Sequence, residues 1–105
     1  MSQVILATPN NFNEVVIEAS KTKTVVVDFF ADWCGPCKMI MPQFEEAAET
    51  NQDVIFVKVN VDDSKELAQK YEVSSIPAFI SFKDGEAYKG TKGASSIEDI
   101  LEKVL

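Results

Sequence analysis

The sequence predicts an α/β fold, with a mixed five-stranded sheet covered by helices on both faces. Three observations carry that expectation. Thr24–Phe30 is dense in β-branched and aromatic residues and apolar on both faces, as a central, doubly covered strand reads. Segments with helical spacing separate it from the strand-like runs on either side. Near the C-terminus an Asp-Gly pair sits between two further strand candidates, a strong hairpin signal.

Taken in order, Val4-Ile5-Leu6 is a short first strand. Asn11-Phe12-Asn13-Glu14 then reads as a capping box, opening a helix whose apolar face is Phe12, Val15, Val16 and Ala19. After the Thr24–Phe30 strand, Met39, Ile40, Phe44, Ala47 and Ala48 predict a helix from Pro36 to about Asn51, kinked at Pro42. Val54–Val61 is the second long strand, and a short helix from Lys65 to Tyr71 follows Asp62-Asp63-Ser64. Ala78–Phe82 and Glu86–Lys89 flank the turn Lys83-Asp84-Gly85. Ser95-Ser96-Ile97-Glu98 caps a last helix with Ile97, Ile100, Leu101 and Val104 on its buried face. The pattern βαβαβαββα is expected to fill residues 1–105 as one domain, with no internal repeat or linker.

Composition narrows the function. With 105 residues, 46% hydrophobic and 26% charged, the chain has the make-up of a globular domain rather than of a disordered or low-complexity segment. Ten lysines and no arginine stand against 17 acidic residues, a net charge of −7, which disfavours nucleic acid and anionic membranes as partners. Histidine is absent, so Ser-His-Asp and Cys-His hydrolases and His-ligated metals are excluded. No apolar run is long enough to span a bilayer, and the stretch from Met1 to Ala7 lacks the basic region of a secretory leader.

The chemistry concentrates in Trp33-Cys34-Gly35-Pro36-Cys37, between the end of a buried strand and the start of a helix. Pro36 suits the first helical turn, where its missing N–H costs nothing. Cys34 then meets free backbone N–H groups and the positive end of the helix dipole, both of which favour a thiolate, the attacking species in disulfide exchange. Cys37, one turn along, is expected to be less exposed and to resolve what Cys34 attacks. A structural disulfide here would close a four-residue loop, worth only about 2 kcal/mol against nearly 5 for a hundred-residue loop. A zinc site would need two more ligands than the chain supplies, and haem attachment needs histidine where Lys38 stands. Redox chemistry is the best reading of the pair.

Two charged residues interrupt the buried strands. Asp28 lies on the face of Val26 and Phe30, where desolvation would raise its pKa and suit a proton acceptor; at a strand end it would simply face solvent. Lys58, between Phe56 and Asn60, either approaches Asp28 through a right-handed crossover or snorkels to water at a sheet edge.

The segment from Val27 to Lys38, followed by Pro42, resembles the active-site signature of the thioredoxin family. Lys58-Val59-Asn60-Val61-Asp62, Ile76-Pro77, Asp84-Gly85 and Gly93-Ala94 extend the likeness over essentially the whole chain. The resemblance implies the thioredoxin fold, with four helices around the sheet, and a disulfide between Cys34 and Cys37. It implies Cys34 as nucleophile, Cys37 as resolving thiol, Asp28 as the buried proton acceptor, and a cis Pro77 facing the disulfide; Lys58 joins this catalytic set only if the crossover brings it to Asp28. Trp33, Gly35, Pro36, Ile76, Pro77, Lys92 and Gly93 would form the docking surface. Three positions depart from the family pattern: Phe30 where Trp is common, Ala78 where Thr often follows the proline, and Lys92 where an apolar residue is usual. Lys92 would favour acidic or hydroxylated residues beside the target's cysteine.

The implied activity is a cytoplasmic, monomeric protein-disulfide reductase that needs no bound cofactor, because the two sulfurs carry the electrons. Its partners would be thioredoxin reductase and disulfide-containing targets such as peroxiredoxins or ribonucleotide reductase. Gly-Pro between the cysteines adds no cation to stabilise a thiolate, which favours a reductant over an oxidase or isomerase of the same fold. A redox-inert docking module is the reading from another class, and the intact cysteines oppose it.

Overall fold

Five strands form one sheet in the order β1-β3-β2-β4-β5: β1 (Ile5–Ala7), β2 (Thr24–Phe30), β3 (Val54–Asn60), β4 (Ala78–Lys83) and β5 (Glu86–Lys92). The structure is a computed structural model and describes residues 3–105; Met1 and Ser2, at the head of the segment read for a leader, lie outside the described residues. β1 and β2 run parallel to β3, while β4 is antiparallel to both β2 and β5, so the sheet is mixed as expected. Its helices are α1 (π-helical over Asn13–Glu18, tightening to 3₁₀ over Ala19–Lys21), α2 (Gly35–Thr50), α3 (Lys65–Lys70) and α4 (Ile97–Val104).

The alternation of β2 and β3 sorts the core into two layers. Val25, Val27, Phe29, Val57 and Val59 pack with Phe12, with Val16 of α1 and with Leu67 of α3. Val26, Phe56 and Phe79 pack on the opposite face against Ile40, Phe44 and Ala48 of α2 and Ile97, Ile100 and Val104 of α4. Period two in the strands and period 3.6 in the helices thus meet in one arrangement. α2 continues through Pro42 as a single helix.

Three local expectations are corrected. The Asn11–Glu14 capping box does not form: α1 begins at Asn13, after Phe12, with no side-chain cap, and Asn11 Oδ1 instead accepts the Thr8 N–H at 2.7 Å while the Phe12 N–H donates to the Thr8 carbonyl at 2.9 Å. Thr8-Pro9 thus forms a hydrogen-bonded turn ahead of the helix, and Asn11 is spent on that turn rather than on a cap. β1 is shifted one residue, to Ile5–Ala7, by its ladder with Val57, Lys58 and Val59. β5 runs on to Lys92 rather than stopping at Lys89, because the ladder with β4 carries Gly90 and Thr91 despite weak local preference.

That ladder contains a bulge. Ile80 pairs Gly90 and Phe82 pairs Ala87, so Tyr88 and Lys89 together oppose Ser81. The buried Ser81 hydroxyl accepts from the Lys89 N–H at 3.2 Å and donates to the Lys89 carbonyl at 3.3 Å. The extra residue places Lys92 on the same face as Ala78, the α1/α3 side.

α3 ends in a Schellman arrangement, with the Val73 N–H on the Ala68 carbonyl at 2.8 Å and the Glu72 N–H on the Gln69 carbonyl at 3.1 Å. The left-handed position that glycine usually takes is held by Glu72, at φ 56°. Glu72→Gly should raise stability by roughly 0.5–1 kcal/mol by removing that Cβ strain. A denaturant midpoint at or below the parent value would contradict it.

Candidate active site

Cys34 is the N-cap of α2, with extended backbone (φ −87°, ψ 108°), and Gly35 and Pro36 open the helix. The Cys37 N–H donates to Cys34 Sγ at 3.2 Å, so the sulfur occupies the acceptor position that a serine or aspartate fills in other caps. The two sulfurs form a disulfide, with Cα atoms 5.3 Å apart. Cys34 is 5% exposed and Cys37 1%, so the less buried of the two cysteines is the one at the helix terminus. Ala31 is buried with them, and Phe30, Val61 and Ile76 pack around this small cluster.

The surrounding loops converge on it. The Ile76–Pro77 peptide is cis, and Ile76 touches the cluster holding the disulfide. The Gly93 N–H donates to the Pro77 carbonyl at 2.8 Å, joining the end of β5 to the proline loop. Gly93 adopts φ 94°, a left-handed conformation that a side chain would strain. A Cβ on Gly35 would meet nothing within 4 Å, so that glycine leaves open space beside the sulfurs. Trp33 is 70% exposed, and its indole Nε1–H donates to Asp62 Oδ2 at 2.8 Å. Asn60 Oδ1 in turn accepts from the backbone N–H groups of Asp62 and Asp63 at 2.9 and 3.2 Å. The spacing of Trp33 and Asp62 carries no hint of that contact, and Asp62 was legible only as part of the strand-end motif.

Asp28 is fully buried, which removes the solvent-facing alternative. Its two carboxylate oxygens lack hydrogen-bond partners. Burial pushes the carboxyl up from 3.8 to about 7, with the Lys58 ammonium acting in the opposite direction. Lys58 is its ladder partner on β3, an interior strand, so the sheet-edge alternative fails too. The ammonium lies 5.8 Å from the centre of the Phe30 ring. Lys58 also lines, with Phe30, Asp32, Lys38 and Cys37, a pocket of about 240 Å³. Lys58 therefore borders both the buried carboxylate and the buried sulfur. Lys92 is exposed and lines, with Glu72, Ser74 and Ser75, a cleft beside the end of β5.

The chain matches the family model for thioredoxin over residues 3–105. The chain belongs to the thioredoxin family. It is 43% identical over 93 residues to Thioredoxin-1 of Caenorhabditis elegans, covering 88% of this chain and 79% of that protein. Thioredoxin-2 of Saccharomyces cerevisiae is 52% identical over 77 residues, 73% of this chain and 74% of the relative. Thioredoxin 1 of Plasmodium falciparum is 37% identical over 101 residues, 94% of each. As a thioredoxin-family protein the chain is a thiol–disulfide oxidoreductase, exchanging its Cys34–Cys37 disulfide and dithiol with disulfide-containing targets. Proteins of this family are reduced by thioredoxin reductase. Among the described residues no helix is long and apolar enough to cross a membrane.

Proposed function

We propose that the chain acts as a single-domain, monomeric, cytoplasmic dithiol reductant of protein disulfides, recycled by an NADPH-dependent thioredoxin reductase. The observation that carries the reading is Cys34 Sγ at the N-terminus of α2, accepting the Cys37 N–H, with Cys37 behind it. The Cys34 thiolate attacks a target disulfide, forms a mixed disulfide and releases one target thiolate. Cys37, having passed its proton to Asp28, attacks Cys34 Sγ and releases the second thiolate. Two electrons leave the protein, and the Cys34–Cys37 disulfide remains. A carboxyl near pKa 7 suits that proton transfer at neutral pH. Lys58 acts as a positioning residue, its charge favouring ionised Asp28. No cofactor enters, and peroxiredoxins and ribonucleotide reductase are suitable target classes. Equilibration against a glutathione series tests direction: a potential near that of a reductant, about −270 mV, supports the proposal, and one near −120 mV marks an oxidase. Failure to exchange at all would leave a redox-inert docking module.

Trp33, Gly35, Pro36, Ile76, Pro77, Lys92 and Gly93 form the docking surface in this reading. The Gly93–Pro77 hydrogen bond supports a continuous rim, and Lys92 adds a positive charge at its edge. Lys92→Val should lower the preference for an acidic over a neutral peptide disulfide by about two- to fivefold at low salt, and hardly at all at high salt. Matched peptides assayed at both ionic strengths check this. An unchanged ratio at low salt means that Lys92 turns into water and selects nothing.

A further inference from the structure

Met39 is 78% exposed, more than Trp33 at 70%, and lies two residues beyond Cys37 on the first turns of α2. A large apolar side chain left that open on a helix adds nothing to the core. Pro36, Met39, Ile40, Gln43, Ala94 and Ser95 instead line a pocket of about 310 Å³ between that helix and the segment leading into α4. The spacing of 36, 39, 40 and 43 puts these residues on one helical face. Gln43 Oε1 accepts the Ile97 N–H at 3.3 Å, tying that face to the start of α4. At its other wall, Ala94 follows Gly93, which is hydrogen-bonded to Pro77. The pocket is thus continuous with the rim of the disulfide. Its exposed thioether is both an adaptable apolar contact and an oxidisable group.

We propose that Met39 is a reversible oxidation site. Its thioether takes one oxygen atom from a hydroperoxide, and the resulting sulfoxide weakens docking of protein targets. The step balances: sulfur gains oxygen and loses an electron pair to the peroxide O–O bond, which leaves as water or an alcohol. The change converts an apolar contact into a strongly polar one at the edge of the target interface. Reduction of the sulfoxide by a methionine sulfoxide reductase, with a dithiol giving up two electrons and the oxygen leaving as water, restores the apolar contact. The proposal rests on targets docking over the rim of the disulfide. Met41, on the same helix, is an internal reference, since it is half-buried and packed against the α2/α4 core.

The test uses the full chain in its disulfide form, which removes the competing thiols, treated with hydrogen peroxide and then analysed by peptide mass spectrometry. Met39 should gain oxygen about tenfold faster than Met41. The treated protein, its disulfide then reduced, should reduce insulin about three- to tenfold more slowly, while its rate with a small aromatic disulfide holds. Met39→Leu, measured against its own untreated rate, should lose nothing, and methionine sulfoxide reductase should reverse the loss in the parent. Equal oxidation of Met39 and Met41, an unchanged insulin rate, or an equal loss in Met39→Leu would each overturn the proposal. Untreated protein inactive on both insulin and the small disulfide would instead refute the reductant reading.

Discussion

Cys34→Ser should abolish insulin reduction, lowering turnover by at least about a thousandfold, while Cys37→Ser should accumulate mixed disulfides with its targets. The asymmetry follows from position. Cys34 caps α2, where the Cys37 N–H and the helix terminus favour a thiolate. Cys37 is 1% exposed and reaches the sulfur of Cys34 more readily than a target. Removing Cys34 deletes the attack. Removing Cys37 leaves the attack and deletes the release, so the mixed disulfide persists. Non-reducing electrophoresis with a model target distinguishes the two. Near-normal turnover in Cys34→Ser, or no trapped complex in Cys37→Ser, would reverse the assignment.

The second large effect is expected at Asp28. Its carboxyl, fully buried without hydrogen bonds, has a pKa of about 7 instead of 3.8. Between those values the folded state binds a proton that the unfolded chain has lost, so stability falls as pH rises through that range. At about 1.4 kcal/mol per pH unit, the cost of ionising Asp28 is on the order of 4 kcal/mol once pH exceeds its folded pKa. Asp28→Asn removes that cost. Oxidised parent and variant should therefore be similarly stable near pH 4, and the variant should gain progressively up to about pH 7, then hold its advantage. The same substitution should slow turnover by about tenfold to a hundredfold, because Cys37 loses its proton acceptor. Denaturant curves across pH and a matched pH–rate profile measure both. Parallel stability curves would show that Asp28 does not ionise in a buried site, and an unchanged rate would remove it from the mechanism.

Local regularities explain why so much was readable. The β-branched run Thr24–Phe30 and the spacing of Ile40, Phe44, Ala47 and Ala48 report which side of each element is covered, whatever covers it. The cysteine pair needed only its position at a strand-to-helix junction to be placed at a helix N-terminus. Asp84-Gly85 likewise adopts the positive φ values, 54° and 86°, that a tight hairpin demands.

By itself, then, the sequence determined the mixed α/β sheet, the two-thiol junction and the kind of chemistry it performs, because each depends on neighbours within a turn or along one strand. Tertiary structure decided what depends on distant partners. Asp28 and Lys58 are thirty positions apart, and only the parallel register of β2 with β3 makes one carboxylate buried and one ammonium its neighbour. Trp33 turns outward to Asp62, and the Gly93 N–H closes onto the Pro77 carbonyl. Ser81 opens a bulge in β5 that moves Lys92 to the other face of the sheet. Such choices come from packing and from the pairing of backbone and side-chain polar groups between distant segments, and these act across the fold rather than along the chain.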